Sequence, residues 1–250
     1  MKRTAGGLTG ECGNRGQTRI GSLERNSGQG QSQCRGTKVA PTVRMRSRAT
    51  ASLSLLGLSA LSSIGFALVA RAVARRHTSR KDARVRGRFP RRRRRATKAI
   101  VTALGPLGKE YVHAPIALGL AAYVWRRGSR EGAAVIPFAS AASVALGRLL
   151  EARLRHRRPP PGRHSRVEPS FPSGHSLETT AVALTSAYVL GREGLVSPRI
   201  LLPVALAVPG VSGAGRLYMD RHWGSDVLGG LLAGGALAAA FAAAYEASRR

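Results

Sequence analysis

From residue 49 onward the chain alternates between long apolar runs and short charged breaks. Ala49 to Ala70 is 22 residues without a charge. At about 1.5 Å per residue, a helix of that length crosses a hydrocarbon core about 30 Å thick. Five further apolar runs follow: Tyr111–Trp125, Gly132–Gly147, Thr179–Gly191, Ile200–Gly215 and Val227–Tyr245, ended by Arg126, Arg148, Arg192, Arg216 and Glu246. Each is shorter than the roughly 20 residues of a full span, but flanking Arg and Tyr side chains reach back to the interface. A soluble helical bundle needs a polar face on each helix, and these runs leave almost none. The pattern therefore predicts an all-α, polytopic membrane bundle of about six transmembrane helices. In the last run Gly230 and Gly234 fall on one face, a spacing that lets helix backbones approach closely in a membrane.

Charge divides the same chain differently. The 250 residues carry a formal net charge of +29, and the excess is uneven. Residues 1–48 hold 10 basic and 2 acidic side chains with no apolar period, which predicts a disordered basic tail, with Met45 as an alternative start. Residues 71–98 hold 14 basic side chains and one acid, Asp82. The expected organisation is a tail at 1–48, an anchor with a basic juxtamembrane segment at 49–98, and a helical core at 99–250. A cleaved signal peptide is the rival reading of the first run, but the run exceeds the about 7–15 residues of a signal core. The basic segment holds one aromatic, Phe89, and no recognisable nucleic-acid module, so anionic lipid headgroups are its expected partner and nucleic acid is not. Cys12 and Cys34, the only cysteines, lie in the tail, which excludes a disulfide-built module.

Ionisable residues between membrane runs mark function by default, and three clusters stand out. The first is Arg153-Leu-Arg155-His156-Arg157-Arg158-Pro159, the second Phe171-Pro172-Ser173-Gly174-His175-Ser176, the third Gly215-Arg216 with His222 and Asp226. The first two share a loop, and the chain returns to the same side two runs later, so topology alone gathers all three. Their chemistry suits an anion. Arginine offers planar donor forks that match phosphate oxygens. Ser173 and Gly174 precede a helix whose leading N–H groups and dipole favour a bound anion, and glycine permits close approach. His222 and Asp226 lie four apart, so a helix beginning near His222 lets the carboxylate hold the imidazole N–H. The other ring nitrogen is then a nucleophile towards phosphorus, and His175 is free to serve as general acid.

These clusters resemble the type 2 phosphatidic acid phosphatase superfamily of lipid phosphate phosphatases, which shares its helical core with vanadium-dependent haloperoxidases. The family pattern is a lysine, six residues and Arg-Pro; then Pro-Ser-Gly-His; then Ser-Arg, five residues, His, three residues, Asp. Here Arg158-Pro159, Pro172-Ser173-Gly174-His175 and Arg216-x5-His222-x3-Asp226 match in order and spacing over about residues 99–250. The resemblance implies that His222 attacks phosphorus, Asp226 orients it and His175 protonates the leaving oxygen. Arg158, Ser173, Gly174 and Arg216 hold the phosphoryl oxygens, and no metal or cofactor is needed. It implies a cell-membrane, multi-pass enzyme that hydrolyses a lipid phosphate monoester or diphosphate, with polyprenyl phosphates or diphosphates ahead of phosphatidic acid and phosphatidylglycerol phosphate. Other readings are haloperoxidase-like chemistry on vanadate, and a non-catalytic protein that gathers anionic lipid through its basic segment.

Two positions depart from the pattern. Glu151 stands where the family has its lysine, with Arg148, Arg153 and Arg155 as candidate replacements for that charge, and Gly215 stands where it has serine. The remaining histidines His77, His113, His156 and His164 read as loop or interface residues. Tyr123, Trp125 and Tyr218 read as interface anchors. Glu178, one turn beyond His175, reads as a partner to an arginine or a residue reaching the headgroups. The membrane face stays open, because the basic segment argues for the cytoplasm while the resemblance points to the outer face.

Overall fold

A computed structural model describes residues 41–89, 95–154 and 169–249, with side chains from residue 49 onward. The described residues are helical, without a strand: α1 (Pro41–Ala74), α2 (Ser79–Gly87), α3 (Arg95–Leu104), a 3-10 turn (Gly105–Gly108), α4 (Glu110–Arg126), α5 (Arg130–Arg153), α6 (Gly174–Arg192), α7 (Pro198–Tyr218) and α8 (Gly224–Ser248). The six apolar runs are six of these helices. Four are long and apolar enough to cross a membrane, namely Ala49–Ala74 of α1, α5, α7 and α8. The other two fall short for physical reasons: α4 is 17 residues long, and the 19-residue α6 carries His175, Glu178, Thr179, Thr180 and Thr185. The protein is thus multi-pass, with four spans secured by length and composition where six are expected from the runs.

Polarity is distributed inside out. Leu53, Leu61 and Leu68 of α1, Leu118 of α4, Phe138 of α5 and Ile200 and Leu206 of α7 are exposed, whereas Ser140, Ser143, Ser176, Thr180, Thr185 and Ser212 are buried. A bilayer rewards that arrangement, since lipid tails solvate the leucines while buried hydroxyls such as those of Ser143 and Thr180 bond within the bundle. Those of Thr185 and Ser186 are buried without a partner among the described residues. Ser143 donates to the Ser140 carbonyl and Thr180 to the Ser176 carbonyl. Between helices, Ser52 and Ser59 of α1 donate to the Ala243 and Ala236 carbonyls of α8. Trp125 and Tyr123 are exposed at the end of α4 as expected of anchors. Tyr218 is not: it is buried, with Phe89 edge-on at 6.5 Å between ring centres.

Helix α8 is the centre, packed against both α1 and α6. It runs parallel to α6, and glycine sets the separation. A Cβ at Gly230 would lie 2.5 Å from the Ser173 carbonyl oxygen, and one at Gly234 would lie 2.4 Å from that of Leu177. At the start of the pair the Ser173 N–H donates to the Asp226 carbonyl at 3.0 Å. At the far end Arg192 closes it, donating from Nε and Nη2 to the buried Glu246 carboxylate at 2.6 and 3.0 Å. The N-termini of α6 and α8 are thereby held side by side.

Gly234→Ala forces backbone apart, so it is expected to cost about 1–3 kcal/mol, read as a lower Tm in detergent. Gly119→Ala, where nothing lies within 4 Å of the added Cβ, is expected to leave Tm unchanged or raise it.

Candidate active site

Helix α6 begins at a short extended segment. Ser170, Phe171, Pro172 and Ser173 are buried, and the Phe171–Pro172 peptide is cis. Ser173 occupies the N-cap with extended backbone, and its Oγ accepts from the Ser176 hydroxyl at 3.1 Å rather than capping the helix. The leading N–H groups of α6 lack acceptors within the helix and carry the positive end of its dipole. Gly174 and His175 line a cavity of about 780 Å³ at this end, well within the usual range of a small-molecule site. The His175 Nε2 is buried without a hydrogen-bond partner.

The loop before α8 supplies the second histidine. The His222 Nδ1 lies 2.8 Å from the Ser170 carbonyl oxygen. A carbonyl can only accept, so Nδ1 carries the proton and Nε2 keeps its lone pair. Asp226 does not make the bond expected of it. Its Oδ2 stands 3.9 Å from His222 Nδ1 and instead accepts the Trp223 backbone N–H at 2.8 Å, capping α8. Asp226 is fully buried, so its field still acts on the imidazole across that gap. Burial lowers the His222 pKa from 6.5 to about 4; the bond to Ser170 opposes this, and Arg216 and Arg221 push further down. The ring is therefore neutral at neutral pH.

The loop is held from behind by α2. Asp82, the one acid of the basic segment, is buried. Its Oδ1 accepts the Ser225 N–H and its Oδ2 the Ser225 hydroxyl, each at 2.9 Å. Arg86, one turn along α2, donates to Asp220 Oδ1 at 3.2 Å. A segment expected only to meet lipid thus also clasps the His222 loop.

Helix α7 ends at the cavity with Arg216, which is 7% exposed. Its Nη2 donates to the Gly105 carbonyl at 2.6 Å, tying the 3-10 turn to the site. At the other end of that turn the His175 ring rests on Gly108, where an added Cβ would lie 2.6 Å from His175 Cδ2. Gly215 has a local cause as well: a side chain there would press on Val101 Cγ1 of α3 at 3.3 Å.

His175, His222, Asp226, Ser173, Gly174 and Arg216 therefore converge at one end of the bundle, with all but Ser173 and Asp226 lining the cavity itself. Arg158 and Arg155 lie outside the described residues. Arg148 lines the cavity, but its Nη2 pairs with Glu110 Oε2 at 2.7 Å on the exposed rim. Arg153 is exposed at the end of α5 and does not line the cavity, whereas Glu151 does. The sequence reading missed Lys109, Arg221 and Ser170, which also line it. The expectation for His113 and Glu178 is corrected: His113 is buried, with Nε2 2.8 Å from Glu178 Oε2 and Nδ1 3.0 Å from Ser140 Oγ. Glu178's partner is a histidine of α4 rather than an arginine. A His and a Glu on different helices have no readable spacing, but an ionisable residue on each of two membrane helices is itself a signal that they pair.

Residues 153–250 match the sequence pattern of the PAP2 superfamily. Among solved structures, a transmembrane PAP2-type phosphatidylglycerolphosphate phosphatase from Bacillus subtilis superposes with a TM-score of 0.69 at 21% identity, covering 77% of this chain and 98% of that one. At that identity the likeness shows a shared fold. No curated protein matches the sequence at a significant level.

His222 is expected to titrate near pH 4 instead of 6.5, followed by NMR as the imidazole signal that His222→Ala removes. Arg221→Gln is expected to raise that midpoint. The folded pKa lies below the unfolded one, so the unfolded chain takes up the proton first. The contribution to stability is complete above about 6.5 and is lost as pH falls towards about 4. A midpoint at 6.5 or above would contradict the burial of the ring.

Proposed function

We propose, from the PAP2 superfamily pattern in residues 153–250, that this membrane protein is a phosphatase of a lipid phosphate ester or diphosphate, with His222 as its nucleophile. What carries the reading is the orientation of His222. Its Nδ1–H is committed to the Ser170 carbonyl, so the Nε2 lone pair is the reactive face, in a cavity shared with Arg216 and the unpartnered His175.

The chemistry then balances with these residues alone. Nε2 of His222 forms a bond to phosphorus as the bond from phosphorus to the lipid oxygen breaks, and that oxygen takes its proton from the imidazolium of His175. Burial and the charges of Arg216 and Lys109 lower the His175 pKa to about 3, so the negative charge of the bound phosphate must raise it before His175 serves as the acid. Positive charge develops on the His222 ring, where the Ser170 carbonyl and the Asp226 carboxylate at 3.9 Å stabilise it. A water that loses its proton to His175 then attacks phosphorus, releasing phosphate and restoring His222. Arg216 and the leading N–H groups of α6 hold the phosphoryl oxygens, which carry most charge in the transition state. Arg158 joins them by resemblance.

A second cavity of about 230 Å³ between α3 and α7 borders the first, sharing Lys109, Tyr111, Arg216 and Arg221. Its other walls include Val101, Leu104, Pro106, Val211 and Met219, which suit hydrocarbon next to a phosphate. Phosphatidylglycerol phosphate, in the name of the Bacillus subtilis relative, is a candidate substrate beside polyprenyl phosphates, polyprenyl diphosphates and phosphatidic acid. The basic residues of 71–98 favour a membrane rich in anionic headgroups, and the cell membrane is the proposed location.

The test is phosphate release in detergent with excess EDTA from those four lipids, wild type beside His222→Ala. Metal-independent release is expected, reduced roughly a thousandfold or more in the variant, as for loss of other covalent nucleophiles. Asp226→Asn is expected to lower kcat through the charge on His222. Release that His222→Ala retains, or none from any lipid, would overturn the reading.

A further inference from the structure

The cavity has an imbalance of charge that the motif residues do not account for. Four acids line it. Three are engaged by basic partners: Glu110 with Arg148 at 2.7 Å, Asp220 with Arg86 at 3.2 Å, and Glu178 with His113 at 2.8 Å. The fourth, Glu151, puts a negative charge where the sequence pattern called for a positive one. Among the described residues Lys109, Arg216 and Arg221 line the same cavity and have no carboxylate partner.

Lys109 differs from an ordinary surface lysine in how its backbone is held. It follows directly on the 3-10 turn Gly105–Gly108 and caps α4 with extended backbone, its own N–H donating to the Pro106 carbonyl at 2.8 Å. That turn is fixed at both ends by the site. Arg216 bonds the Gly105 carbonyl, and the His175 ring packs on Gly108 so closely that no Cβ fits. The residue after Gly108 is thus registered to His175, while its side chain keeps its freedom at the cavity mouth. None of the candidate replacements on α5 that the structure describes is placed as well, since Arg148 is paired and Arg153 lies off the cavity.

We propose that Lys109, at the start of α4, supplies the phosphoryl-binding positive charge that position 151 lacks, so that the charge has moved from α5 to the neighbouring start of α4. The proposal rests on the reading of this cavity as a phosphoryl site. The ammonium meets an oxygen of the bound phosphate beside His175, and Arg216 holds the deeper oxygens. Glu151, facing an excess of cations, is tolerated because the anion is held from the α4 side.

The experiment uses the full chain in detergent, with the best lipid phosphate from the panel above. Lys109→Gln is expected to lower kcat/KM roughly 10- to 100-fold, the weight of a charge-assisted bond, and to weaken competitive inhibition by inorganic phosphate in parallel. Lys109→Arg is expected to keep most of the activity. Adding Glu151→Lys to Lys109→Gln returns a cation to the cavity and is expected to recover activity. Unchanged Tm in the single variants separates this from misfolding. Lys109→Gln within about twofold of wild type overturns the proposal, as does Lys109→Arg falling as far as Lys109→Gln, or a double variant no better than the single. A wild type that releases no phosphate fails the functional reading itself, whereas an active wild type lost in His222→Ala with an indifferent Lys109 fails this inference alone.

Discussion

The close backbone contact between α6 and α8 is the constraint on which the site depends. Gly230 and Gly234 let α8 lie against the Ser173 and Leu177 carbonyls, distances no other residue type allows. Two parallel helices at that separation present their N-termini together, and the Ser173 N–H to Asp226 carbonyl bond fixes their relative height. His175 on one helix and His222 before the other then face a common space without any long loop reaching across. Two aligned helix dipoles also give that space a positive potential before any side chain is counted.

The side chains around it extend the same logic. Among the described residues each acid of the rim has a basic partner except Glu151, and His222 is kept neutral by burial and by Arg216 and Arg221. A neutral imidazole among cations without carboxylate partners retains its lone pair, the state that the proposed attack on phosphorus requires. Arg216 serves twice, since the guanidinium that faces the cavity also holds the 3-10 turn through Gly105. Removing it therefore loosens the wall that carries His175's contact as well as a donor.

Much of this was legible in residue order because it is local or periodic. The apolar runs became helices, Gly230 and Gly234 became a contact, and His175, Arg216 and His222 met because topology returns them to one end. What stayed hidden depends on contacts between distant segments. Ser170 takes the ring proton that the spacing of His222 and Asp226 assigned to the carboxylate, since i,i+4 proximity does not fix which acceptor the imidazole turns to. Lys109 follows Gly-Pro-Leu-Gly, a signal for a chain break but not for what the break rests on. Asp82 looked like an exception in a basic stretch and is the cap of Ser225. The six apolar runs are helices, four of them of clear spanning length, while α6 turns His175, Glu178 and its threonines inward, which the average apolarity of its run does not reveal.

The clasp between Asp82 and Ser225 spans 143 residues, and this bears on how the protein comes into being. Asp82 is made among the twelve arginines and two lysines of residues 71–98, and the groups that bond it lie far along the chain, at the start of α8. Until the start of α8 is made, the Asp82 carboxylate lacks the Ser225 N–H and hydroxyl, although Arg86 of α2 can already meet Asp220. The clasp on the His222 loop therefore closes only once α2 and the start of α8, far apart in the chain, are both in place.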